Sequence, residues 1–219
     1  MFKGHPKALI ILALSNMGER FGFYTMLSIF ALYLQAKFGL TPGRTSTIYG
    51  AFIACVYFLP LFGGILADKV WGFGKTILIG IIVMFFGYLL LAVPGKPDLA
   101  GYAMMFTALL LIGIGTGCFK GNLQVLTGNL YDDPKYSAKR DVAFSIFYMF
   151  INIGAFFAPS AAEFVSNTML AKDGFQYEAK VPNLSFKYLN YKVVDSNSFK
   201  NNALAKLSFI SSPFNSRTA

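Results

Sequence analysis

Five long apolar runs, each closed by a short polar punctuation, dominate the first three quarters of this chain. They span roughly Ala8–Leu34, Thr47–Ala67, Thr76–Val93, Tyr102–Leu126 and Val142–Phe164, separated by "FGLTPGR", "ADKVWGFGK", "VPGKPD" and "YDDPKYSAKRD". The first run is about 27 residues, or roughly 40 Å as a helix, enough to cross a bilayer with some tilt. The connections are short, so consecutive spans are expected to be antiparallel neighbours. After Phe164 the pattern changes. Residues 166–219 contain no apolar stretch near the length of a span, and "ALAKLSFISS" is too short to cross. The expected organisation is a transmembrane bundle over 1–165 and a polar extracytoplasmic loop or aberrant tail over 166–219. An odd number of spans before such a tail suggests a fragment of a longer protein or a gene model that leaves its frame.

Composition agrees with a membrane protein: 55% of the 219 residues are hydrophobic and only 13% are charged, against a soluble norm near 25% charged. The net charge of +9 is not gathered into a basic stripe with a reading motif, which excludes a nucleic-acid partner. Its distribution gives an orientation instead. Lys3, Lys7, Lys69, Lys75, Lys135, Lys139 and Arg140 fall on one side, and Lys37, Arg44 and Lys96 on the other, so the N-terminus is expected in the cytoplasm. The basic opening "MFKGHPK" resembles that of a signal peptide, but the run after it is too long for a signal core and lacks a cleavage site. Cys55 and Cys118 each lie within an apolar run and read as packing residues. With one histidine, no nucleophile and base pair, no metal-ligand cluster and no phosphate loop, the chain is not expected to be an enzyme or to hold a metal or other cofactor.

Charges inside the spans carry the chemistry. In "SNMGERFGFY" the residues Asn16, Glu19, Arg20, Phe23 and Tyr24 recur at helical spacing on one stripe, too polar to face lipid. An ionisable side chain at mid-membrane costs about 2.5 to 3.5 kcal/mol on insertion scales, so it needs a partner or a role. In "GIGTGCFKGNLQ", Lys120 lies deep in a helix rich in small residues, where a neighbour can approach closely, and it is the expected partner of Glu19. The plainer alternative is that the three charges only pair off to hold helices together. Glu, Arg and Lys together leave one positive charge over, which suits an anionic substrate group. Asp68 and Asp141 belong to loop ends and Glu163 to the outer end of span 5, leaving Glu19 as the deep carboxylate.

At these residues the chain resembles the proton-dependent oligopeptide transporter family of the major facilitator superfamily. "NMGERFGFYTM" is similar to that family's ExxERFxYY motif, with Asn16 in place of the first glutamate and Phe23 in place of the first tyrosine. "GGILADKVWGFGKT" resembles the superfamily's loop between spans 2 and 3, with Gly64, Asp68, Gly72 and Lys75 at the motif spacing. "FSIFYMFINIGAFFAP" matches the family signature centred on Asn152 and Gly154, and "GTGCFKGNLQVLTGNLY" resembles its lysine segment, with Gly121 where the family usually has proline. The resemblance implies an all-α transmembrane fold, five of the six spans of the superfamily's N-terminal bundle, which rocks against a C-terminal bundle missing from this chain. It implies proton-coupled symport of di- and tripeptides across the cytoplasmic (inner) membrane by alternating access, with the proton as coupling ion and no cofactor. Arg20 and Lys120 would take the peptide carboxylate, Tyr24 and Asn152 its backbone or terminus, and Glu19, with Lys120, the proton; Gly64, Asp68, Gly72 and Lys75 would be gate, structural and helix-cap residues. A transporter of nitrate, amino acids or another small solute, or a membrane remnant that transports nothing, are the competing readings.

Overall fold

The computed structural model describes residues 4–93, 97–172, 175–177 and 191–193. Five long helices follow in chain order: α1 Lys7–Phe38, α2 Pro42–Leu66, α3 Phe73–Ala92, α4 Leu99–Asn129 and α5 Arg140–Lys172. The last four, α2 with the turn that extends it to Trp71, are each long and apolar enough to cross a membrane. α1, at 32 residues, matches them in length, and its polar mid-section is turned inward, with Asn16 and Arg20 buried.

The helix ends follow from local chemistry. α1 stops at Gly39, which adopts a left-handed φ of 61° that glycine reaches without strain. α2 begins five residues before the expected start because Pro42 sits at its first position, where a missing N–H costs nothing. Asp98 caps α4, its side chain accepting from the Gly101 N–H at 2.8 Å. Between α2 and α3 the chain widens into a π-turn over Ala67–Trp71, closed by a 2.9 Å bond from the Gly72 N–H to the Ala67 carbonyl. Gly72, at φ 75°, makes the sharp exit that this turn requires. It also leaves α3 without a side-chain cap. Asp68 lies within the turn and Lys75 in the first turn of α3, and both are exposed.

Small residues bring the helices together. A Cβ at Gly63 would lie 2.3 Å from the Gly117 carbonyl oxygen, one at Gly80 would lie 2.8 Å from that of Gly115, and one at Gly87 2.9 Å from the Ile112 nitrogen. α4 is thereby pressed against both α2 and α3, as interhelical packing without a hydrophobic driving force demands. Gly64, singled out by its motif spacing, has open space where a Cβ would stand; its neighbour Gly63 makes the contact. α5 packs on α1, where a Cβ at Gly154 would meet the Met17 carbonyl oxygen at 2.5 Å. Phe23, Phe30, Tyr49 and Phe52 interleave between α1 and α2 within a core that also takes in Met84, Met105, Ile112 and Phe147.

Two ends of the bundle are defined by contacts across it. At one, Lys37 donates to the Val93 carbonyl at 3.2 Å and the Tyr102 hydroxyl to that of Phe38 at 3.2 Å. At the other, His5 meets Tyr131 at 2.7 Å. Antiparallel alternation is thus observed for α1, α3 and α4, but the expectation that consecutive helices are packing neighbours is corrected: the principal seams join α3 with α4, α1 with α5 and α2 with α4. Outward faces stay apolar, with Phe156, Phe164, Tyr57, Leu61 and Phe58 all more than half exposed. α5 continues through Lys172, past the expected domain boundary at 165, and Phe175–Tyr177 pairs antiparallel with Tyr191–Val193. The remainder of the expected tail, and Lys3 and Lys96 of the charge count, lie outside the described residues.

Candidate functional site

The polar stripe of α1 closes on itself. Glu19 and Arg20 are adjacent in sequence, and side chains one residue apart diverge on an ideal helix, yet both are long enough to turn into the same crevice. The Arg20 Nε donates to Glu19 Oε2 and its terminal nitrogen donates to Oε1 at 2.6 Å, a two-point match of guanidinium fork to carboxylate. The pair is deeply buried: the side chains keep only 6% and 5% of their exposure. Below it the guanidinium lies over the Phe23 ring at 4.9 Å, so the phenylalanine that stands in place of tyrosine supplies a π face. Phe23 in turn meets the edge of Tyr24 at 5.5 Å, and Tyr24 lies within the electrostatic field of Arg20.

Lys120 is not the direct partner of Glu19, and that expectation is corrected. Its ammonium sits over the Tyr57 ring of α2 at 4.2 Å, half-buried, within electrostatic reach of both Arg20 and Glu19. Arg20 satisfies both Glu19 oxygens, which leaves Lys120 with no salt bridge among the described residues. Gly121, one residue on, faces Pro60 of α2, 3.9 Å from where a Cβ would be.

α1 and α4 thus bring Glu19, Arg20, Tyr24 and Lys120 into one electrostatic cluster, and α2 adds Tyr57. Asn152 is placed elsewhere. It is exposed in a shallow groove lined only by α5, with Ser145, Tyr148, Ile153, Phe156 and Phe157, two residues before Gly154 and so on the far side of the helix from α1. Gly72 forms the turn described above, while Asp68 and Lys75 are exposed at the end of the bundle opposite Val93.

Two buried polar residues escape a reading of the sequence. Asn122 donates to the Gly63 carbonyl at 3.0 Å and to that of Cys118 at 2.8 Å, tying α4 to α2 beside the glycine contact. An amide four residues after Cys118 in a small-residue helix is a visible signal for such a tie. Tyr88 of α3, inside "FFGYLLLA", gives no signal beyond an apolar run, yet its hydroxyl is buried without a hydrogen-bond partner. Among the described residues no cluster of His, Cys, Asp and Glu is arranged to hold a metal ion.

Comparison with known proteins places this geometry. The model of the POT family matches residues 74–182. "Dipeptide and tripeptide permease A" of Klebsiella pneumoniae (strain 342) is 35% identical over 161 residues, covering 74% of this chain and 31% of that protein. "Uncharacterized transporter YclF" of Bacillus subtilis (strain 168) is 38% identical over 163 residues, covering 72% and 32%. Among solved structures, a peptide transporter POT in complex with sulfate aligns with TM-score 0.65 at 28% identity, over 100% of this chain and 49% of that one. Tetrameric PepTSo2 aligns with TM-score 0.68 at 25% identity, over 95% and 40%. The chain spans about a third of the length of these curated relatives and less than half of the solved transporters. With its motifs, its helix order and these matches in agreement, the chain belongs to the POT family, of which it spans the N-terminal transmembrane part.

Proposed function

We propose that these helices form the first half of a transporter that carries di- and tripeptides together with protons by alternating access, in partnership with a second helical bundle. The reading rests on one observation above all: a buried carboxylate whose two oxygens are held by one cation, with a second cation in the same field and no carboxylate of its own. Such a site accepts an anion. When Glu19 is ionised it holds Arg20; when Glu19 takes a proton, the guanidinium fork is released to a substrate carboxylate, and Lys120 adds a second positive charge. Proton and peptide then favour the same state, which is symport by linkage and requires no direct hop between them. Tyr24 supplies a hydrogen bond to the peptide backbone, whereas Asn152, exposed on the face of α5 away from α1, is not part of this cluster; recognition by terminus and backbone leaves side chains free to vary.

The relatives named for dipeptide and tripeptide transport support the substrate class. The apolar helices support a multi-pass protein of the cytoplasmic (inner) membrane, and the excess of Lys and Arg on one side supports a cytoplasmic N-terminus. Asp68 and Lys75, exposed at the end of the bundle opposite Val93, fit a cytoplasmic gate. Competition in proteoliposomes tests the carboxylate role: dialanine should displace a labelled dipeptide and its C-terminal amide should not. Equal competition by the two forms, or uptake of nitrate or free amino acids in preference to dipeptide, would defeat the proposal.

A further inference from the structure

α1 and α4 carry the two halves of the charge cluster, Glu19 and Arg20 on one and Lys120 on the other, yet no principal seam joins them: α1 packs on α5, and α4 on α2 and α3. Their relative placement is held at the ends. Near Val93 the Tyr102 hydroxyl donates to the Phe38 carbonyl at 3.2 Å. At the opposite end His5, ahead of α1, is hydrogen-bonded through Nδ1 to the hydroxyl of Tyr131, past the end of α4, at 2.7 Å. α1 begins without a side-chain cap, and the residue before its Pro6 reaches across the bundle instead. Tyr131 is 1% exposed. Its ring joins Leu9 of α1 with Ala143 and Ile146 of α5 in an apolar cluster separate from the main core, and stands edge-on to both His5 and Tyr136.

His5 is the one histidine of the chain, the residue type that changes charge nearest to neutral pH. The charges acting on it are of one sign. Lys139 and the terminal amine, together with partial burial, push the imidazole below 6.5, and the Lys139 ammonium lies where a Cβ at Gly4 would stand. Other charges of the α4–α5 connection are engaged with their own neighbours: Arg140 with Asp132 at 3.5 Å, the Asp133 carboxylate with the Lys135 N–H at 2.9 Å, and the Lys135 ammonium with the Tyr136 ring at 5.2 Å. Lys7 of α1 is exposed. A neutral imidazole and a phenol make one hydrogen bond whichever of them donates, whereas an imidazolium at the same place would face the Lys139 ammonium with part of its hydration removed. We propose that the His5–Tyr131 contact is a proton-sensitive clasp between α1 and α4, fixing the spacing of Arg20 from Lys120 while the imidazole is neutral and letting the helices part at this end when it is charged. Folding favours the neutral ring, so the clasp holds above about pH 6.5 and loosens as pH falls through the lower folded value. On the transport reading above this end faces the cytoplasm, and protons delivered there with substrate would weaken the site that admits them; that consequence rests on the transport reading, and the clasp itself does not.

The test places spin labels on cysteines substituted for Ile11 and Asn129, both exposed near the clasped ends of α1 and α4, in the complete transporter with Cys55→Ser to remove the exposed native thiol. The label separation should be narrowly distributed at about pH 7.5 and broaden to longer values at about pH 5.5, on either side of the histidine range. Tyr131→Phe keeps the ring in its cluster and should give the broad distribution at both pH values. His5→Gln cannot titrate and should give one distribution at both. A parent whose separation does not change with pH, or a His5→Gln variant that responds as the parent does, overturns the proposal. In proteoliposomes with dialanine outside, acidifying the interior over the same range should raise the KM for uptake about two- to tenfold more in the parent than in His5→Gln, the change one neutral hydrogen bond supports; equal rises in the two count against a clasp that governs the site. The label separation requires no transport, so if dialanine is not carried the transport reading fails and the separation alone decides the clasp.

Discussion

Gly63 and Gly117 bring α2 and α4 so close that a Cβ would meet a carbonyl oxygen, whereas Arg20 holds Glu19 by a contact that a proton or a competing carboxylate can undo. The first region, extended by Gly80, Gly87 and Gly115 to α3, locks backbone against backbone and is braced by Asn122. The second joins side chains whose partners are exchangeable: Glu19 with Arg20, Lys120 with a tyrosine ring. Rigid seams and exchangeable charges in one bundle are what a body that rocks as a unit around a substrate would combine. The contrast gives each region a distinct response to substitution.

Arg20→Ala should have the largest effect. It leaves Glu19 buried without a partner, at about 3 to 5 kcal/mol, and removes the fork that would take the substrate. Denaturation in detergent should show a loss of this size, and dipeptide uptake should be abolished. Substituting Glu19 as well should recover much of the stability and none of the uptake. Next comes the seam: Gly63→Ala drives a methyl into the Gly117 backbone, which has no rotamer to yield, and should cost about 1 to 3 kcal/mol. Gly64→Ala, one residue on and facing open space, should be near neutral, and equal losses at the two positions would contradict the close approach.

Lys120→Ala should separate function from stability. Its contact with Tyr57, a ring that is 66% exposed, is worth about 0.5 to 1 kcal/mol, so the fold should barely register its loss while high-affinity uptake disappears. The smallest effect concerns His5. Partial burial, the Lys139 ammonium and the terminal amine push its imidazole below the ordinary value of 6.5, and its Nδ1 is hydrogen-bonded to the Tyr131 hydroxyl at 2.7 Å. The unfolded chain therefore binds this proton more readily. The stability contributed by neutral His5 is complete above about pH 6.5 and is lost as pH falls through the lower folded value. Thermal melts across that range should show the decline, and His5→Ala should flatten it.

Most of this architecture was legible in the sequence because apolar runs and their punctuation specify membrane helices directly. Ends were less so. α2 starts at Pro42, within a segment whose Pro and Gly read as a turn, because proline at the first helical position is compatible with both. α5 runs on through "SNTMLAK" because a helix does not stop where its hydropathy does. The stripe Asn16, Glu19, Arg20 and Phe23 was visible as a pattern, but its pairing was not. Helical spacing describes where Cβ atoms point, and the Glu19–Arg20 bond is made by the far ends of two long side chains. Gly63 could not be told from Gly64 by spacing, since only the crossing point of α2 and α4 decides which one is touched. Tyr88 was invisible for a related reason: a tyrosine in an apolar run reads as packing until its hydroxyl is seen to end buried without a partner.

The central claim is that the Glu19–Arg20 bond is the exchangeable element that links proton to substrate, and Glu19→Gln addresses it most directly. The substitution preserves shape and removes titration. In proteoliposomes of the complete transporter, the variant should still exchange labelled for unlabelled dialanine across the membrane, while failing to concentrate it under an inward proton gradient. A variant that concentrates dialanine as well as the parent would contradict the account and would place the coupling outside these five helices.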